Sequence, residues 1–127
     1  MRTRAAVALL WTIGWGAACE HRDSSEVLTP ASGRTPASER ATEVVTRARC
    51  QRAERCGRIG ENALFDNREH CLNALWPESV AQLTPCRSGV DQSAVQECLS
   101  EIDRHGCDDA MSGFAQYPAC RVEDLCI

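Results

Sequence analysis

Residues 91–107 read DQSAVQECLSEIDRHGC, and this stretch decides the fold class. Ala94, Val95, Cys98, Leu99 and Ile102 recur at helical spacing and so line one face of an α-helix. Asp91 stands where an N-cap carboxylate accepts the first orphan N–H groups, and Gly106 is placed to end the helix just before Cys107. One cysteine inside the apolar face and another just past the helix end are positioned to fasten this helix to its neighbours. The expected fold is therefore all-α, a small disulfide-stapled bundle of three to four short helices.

The same reasoning extends to both sides. Ala41, Val44, Val45 and Ala48 repeat the spacing from Glu39 onward, with Ser38 as N-cap and Gly57 ready to stop the helix after Cys56. Cys56 lies three helical turns beyond Val45 and is expected on that apolar face, with Cys50 well off it. Asp66 and Glu69 signal a second helix bearing Cys71, Leu72, Leu75 and Trp76. Pro77 ends or kinks that helix, and Glu78, Val80 and Leu83 form a short continuation that Pro85 closes. Beyond Cys107 a weaker helix from Asp108 to Tyr117 presents Met111 and Phe114, weakened by Gly113, before Pro118 and a closing segment from Cys120 to Cys126. No strand-like alternation competes.

Nine cysteines in 127 residues, eight of them between Cys50 and Cys126, give the density of an oxidised disulfide scaffold. Cys50, Cys56, Cys71, Cys86, Cys98, Cys107, Cys120 and Cys126 are expected to pair among themselves. Spacing leaves the connectivity open; the helical faces favour Cys56 with Cys71, and Cys98 with a later cysteine, as short closures. A loop of about fifteen residues contributes roughly 3 kcal/mol through the unfolded state, so the bridges are expected to outweigh a core with few aromatic residues.

The ninth cysteine has a different setting. Arg2 and Arg4 precede an apolar run from Ala5 to Trp15, too short for an ordinary membrane span, and small residues follow it. Gly16-Ala17-Ala18-Cys19 resembles the lipobox of bacterial lipoproteins, with Gly16 where leucine is usual. The resemblance implies cleavage before Cys19 and acylation of that residue, anchoring the chain in a membrane. A plain secretory signal cut near Ala18 is the rival reading, and it leaves Cys19 as an odd thiol. Residues 1–18 are thus read as signal peptide, 19–38 as the lipidated cysteine and a polar Ser-, Thr- and Pro-rich tether, and 39–127 as the helical domain. The expected location is the cell envelope, on the periplasmic side or at the outer membrane.

Charge narrows the partners. Every cationic residue is arginine, and without Arg2 and Arg4 twelve arginines face eighteen carboxylates, a net charge of 12 − 18 = −6 that disfavours nucleic acid. Arg47, Arg49, Arg52, Arg55 and Arg58 read as the solvated side of the first helix, or as a basic face toward an acidic partner or lipid headgroups. Phosphate loops, nucleophile elbows and His-Glu-x-x-His are absent from the sequence, and no catalytic residue or cofactor is expected. A zinc site from His70, Cys71, His105 and Cys107 lacks paired ligand spacing, and thioredoxin-like chemistry lacks its Cys-x2-Cys. The Asp108-Asp109 pair reads as charge in a first helical turn.

The lipobox, the tether, Arg55-Cys56-Gly57-Arg58-Ile59-Gly60, Cys98-Leu99 and the closing Cys-x5-Cys together make the chain resemble small cysteine-rich lipoproteins of myxobacteria. One family of these is labelled natural-product-biosynthesis lipoprotein, a label resting on genomic context. The resemblance implies an accessory lipoprotein or small enzyme linked to such biosynthesis and carries over no catalytic residue. The residues themselves favour a non-catalytic, membrane-anchored module that binds an unknown envelope protein or a small molecule.

Overall fold

A computed structural model describes residues 34–108 and 113–127. The signal segment, Cys19, the tether up to residue 33, Asp109 and Met111 lie outside the described residues. Four α-helices follow in order, α1 Pro36–Arg55, α2 Arg68–Leu83, α3 Gln92–Arg104 and α4 Val122–Leu125, with two 3-10 turns, Phe114–Gln116 and Pro118–Cys120, before the last. Among the described residues there is no strand, only two isolated bridges. The all-α, disulfide-stapled bundle is the fold.

The central element is α1, which packs against both α2 and α3. It starts at Pro36, not Glu39, because Thr35 Oγ1 accepts the Ser38 N–H at 3.2 Å while proline supplies a preset φ at a position that needs no N–H donor. Ser38, expected as the cap, is instead buried inside the first turn. Thr42 and Thr46 are buried too, their hydroxyls donating to the Ser38 and Thr42 carbonyls at 2.7 Å. At the other end Gly57 takes φ +64°, its N–H donates to Glu54 O, and the Arg58 N–H donates to Ala53 O. This paired closure satisfies the last carbonyls and requires a left-handed residue where the sequence supplies glycine.

Helix α2 is capped by Asn67, one residue later than expected, whose Oδ1 accepts the His70 N–H at 2.8 Å. Pro77 neither ends nor splits it: the helix runs through to Leu83. Proline removes the bond to the carbonyl four residues back, but Pro77 and Asn73 both lie on the exposed face, where solvent is available to the freed carbonyl. Helix α3 begins at Asp91 as expected, with Asp91 Oδ1 accepting from Ser93 Oγ at 2.7 Å, Ser93 N at 2.8 Å and Ala94 N at 3.1 Å. Those bonds, the Ser93 hydroxyl first, hold the Asp91 carboxyl below the usual carboxylate range.

The main core gathers Val45 from α1, Leu83 from α2, Val95 and Ile102 from α3, and Tyr117 and Leu125 from the C-terminal segment. A smaller cluster of Cys50, Ala53, Phe65, Cys71 and Leu75 fills the space between α1 and α2. The helix expected from Asp108 to Tyr117 is replaced, in its described part, by a 3-10 turn opened by Gly113 at φ +32°. Pro118 then starts the second turn, so Phe114, Tyr117 and Cys120 are buried by a tight succession of short turns.

Four bridges join Cys50–Cys71, Cys56–Cys107, Cys86–Cys126 and Cys98–Cys120. Cys98 pairs with a later cysteine, but the short closure Cys56 with Cys71 does not form. With α1 buried on two sides, Cys50 faces α2 and is fully buried, while Cys56 lies at the helix end, half-buried, and reaches the segment leaving α3.

Candidate functional site

Along the seam of α1 and α3 runs an open groove of about 250 Å³. Val44, Arg47, Ala48, Gln51 and Arg55 come from α1 at helical spacing, and Leu99 and Asp103 come from adjacent turns of α3. Val44, Ala48 and Leu99 are half-buried against the main core and make an apolar floor. The rim is charged: Arg47 pairs with Glu43 at 2.5 Å, and Arg55 holds Asp103 through its carboxylate at 3.0 Å and its backbone carbonyl at 2.9 Å. Exposed pairs of this kind contribute little to stability, so both arginines can exchange partners at low cost. The groove suits an apolar side chain or short hydrocarbon group flanked by an anionic or amide group that Arg47, Gln51 or Arg55 can meet.

The arginines expected on one solvated face divide into two sets. Arg47, Arg55 and Arg58 are exposed or partly so, whereas Arg49 and Arg52 are 1 % and 0 % exposed. Arg49 Nη2 donates to Glu78 Oε2 at 2.7 Å and its guanidinium lies 4.6 Å from the Phe114 ring centroid. Arg52 Nη1 donates to Tyr117 Oη at 2.8 Å and Nη2 donates to the Gly106 carbonyl. The signal for this was in the spacing: Arg49 and Arg52 stand one and two turns after Val45, on the face already assigned to the core. These two side chains bind the C-terminal turns to α1.

His70 and His105 do not join a cysteine site. Cys71 and Cys107 are consumed by bridges to Cys50 and Cys56, His70 Nδ1 meets Asp66, and His105 packs edge-on against Tyr117 at 5.1 Å between ring centroids. Among the described residues no group of His, Cys, Asp and Glu is arranged to hold a metal ion. Asp108 is exposed, and no helix of the described residues is long and apolar enough to cross a membrane.

A family model described as a family of unknown function (DUF6184) matches residues 50–127, a span that opens at Cys50 and contains all four bridges. No curated protein and no solved structure matches the chain.

Proposed function

The chain belongs to that family of unknown function, and from its own geometry we propose that it is a non-catalytic, lipid-anchored envelope module that docks a partner protein along the α1/α3 groove. The observation that carries this reading is the groove: an apolar floor with exchangeable arginines, built on two helices that disulfides fasten, α1 through Cys50–Cys71 and Cys56–Cys107 and α3 through Cys98–Cys120. A rigid, preformed surface loses little conformational freedom on binding. Four bridges account for eight of the nine cysteines, which supports a separate, lipidated role for Cys19 in its lipobox-like setting. The resemblance to myxobacterial lipoproteins supports a partner within natural-product biosynthesis, and gene deletion that leaves the metabolite profile unchanged removes that support.

The test is a photo-crosslinking residue at Gln51 in intact cells, with one at exposed Glu61 as control. A discrete adduct is expected from Gln51 and not from Glu61, and Ala48→Glu, which places charge on the floor, should abolish it. An adduct that survives Ala48→Glu, or no adduct at all, overturns the groove assignment. Intact mass of the membrane-extracted protein should show acylation at Cys19, and an unmodified Cys19 overturns the anchor.

A further inference from the structure

The four disulfides differ sharply in access. Cys50–Cys71 and Cys98–Cys120 are fully buried, and Cys86–Cys126 has one buried and one half-buried partner. Cys56–Cys107 stands apart, with Cys107 exposed and Cys56 half-buried. It ties the end of α1 to the segment that leaves α3, across 51 residues of chain. At the same end Arg55 grips Asp103 and Arg52 donates to the Gly106 carbonyl. Arg55 and Asp103 are also the walls of the groove there.

We propose that the Cys56–Cys107 disulfide is a dithiol-reducible clasp that fixes the width of the α1/α3 groove at its Arg55–Asp103 end, a regulation that rests on the groove being the docking surface. A thiolate of an external dithiol attacks the sulfur of the exposed residue Cys107, the protein S–S bond breaks, and Cys56 leaves as thiolate and takes a proton. The second thiolate of the reductant then attacks the mixed disulfide and releases Cys107 as a thiol. Two electrons pass to the protein, and the dithiol ends as its own disulfide. The three less accessible bridges keep the bundle assembled, while the segment from Asp103 to Asp108 is held at this end by non-covalent contacts, among them those of Arg55 and Arg52 and the packing of His105 on Tyr117.

The full chain, extracted from membranes, is titrated with dithiothreitol under folding conditions, quenched by alkylation and mapped by peptide mass. Cys56 and Cys107 should be labelled together, about tenfold faster than the other six. Earlier labelling of Cys86 and Cys126, or loss of all four bridges in one step, overturns the proposal. Hydrogen exchange on the partly reduced protein should accelerate at residues 103–107 and leave Val95–Leu99 protected; unchanged exchange at 103–107 also overturns it. The double variant Cys56→Ser, Cys107→Ser should reproduce that exchange pattern without reductant, and the titration of the unaltered protein decides the matter if the variant fails to accumulate. None of these readouts needs a partner, so a fixed clasp and an empty groove are distinguished by comparison with the Gln51 crosslink.

Discussion

Replacing Tyr117 with phenylalanine removes one oxygen from a site that water cannot reach. Tyr117 and Arg52 are both 0 % exposed, and the lost group is the acceptor of the Arg52 Nη1–H at 2.8 Å. The ring stays, with its packing against His105 and its position 5.8 Å from the Arg52 guanidinium carbon. A hydrogen bond to a charged group contributes about 1.5–3 kcal/mol, so the cost is set near the middle, about 2 kcal/mol. For a domain of this size each kcal/mol moves the melting temperature by about 4–8 °C, which gives a fall of roughly 8–16 °C. Circular dichroism melts and guanidinium titration with the disulfides intact measure it, and the denaturant slope should not change. In an Arg52→Met background the same Tyr117→Phe change should cost less than about 0.5 kcal/mol, because its partner is gone. An equal cost in both backgrounds, or a melting temperature within about 2 °C of the parent, would refute the claim that Arg52 anchors the C-terminal turns through this hydroxyl.

Three further outcomes follow from the local geometry. Gly57→Ala places a side chain at φ +64° with nothing within 4 Å of the new Cβ, so the cost is backbone alone, about 1–2 kcal/mol by chemical denaturation. The Asp91 carboxyl is held below the usual carboxylate range, so its contribution is present above that range and is lost as pH falls through the lower folded-state value. Asp91→Asn keeps the capping oxygen and removes the titration, and its melting temperature should fall less than the parent's between about pH 5 and pH 2. Removing the buried bridge with Cys98→Ala and Cys120→Ala opens a loop of 22 residues and should cost about 3 kcal/mol, read from the shift in denaturation midpoint.

The helices were legible because their ends are chemically marked. Asp91 starts α3 and Gly57 stops α1 as expected, since a carboxylate cap and a left-handed glycine each act within one turn. Pro77 misleads because its local effect is cancelled by exposure, a property of the packed molecule that its neighbours in sequence do not reveal. The Cys56–Cys71 pairing failed for a similar reason. It treats α1 as having one buried face, as a peripheral helix does, whereas α1 is central and buries Cys50 toward α2 as well as Val45 toward the main core. The groove was not legible, because Val44, Ala48 and Leu99 count as core residues by spacing, and only the crossing of α1 with α3 leaves them half covered.

Arg49 and Arg52 were read as solvated because arginine is rarely buried without pairing, and pairing cannot be seen along the chain. Their partners lie far away in sequence: Glu78 for Arg49, and Tyr117 and the Gly106 carbonyl for Arg52. A buried charge of this kind adds little net stability over an apolar residue of the same size, but removing its partner is costly, so its effect is to fix one arrangement. Here the arrangement fixed is the path of the chain on either side of the exposed bridge. Ile102 is sealed in the core just before it and Tyr117 just after it, while Asp103 and Gly106 are held by arginine contacts and Cys107 by its sulfur. Reduction of that bridge should therefore loosen residues 103–108, and any movement at the groove's Arg55 end should stop at Ile102, which stays buried.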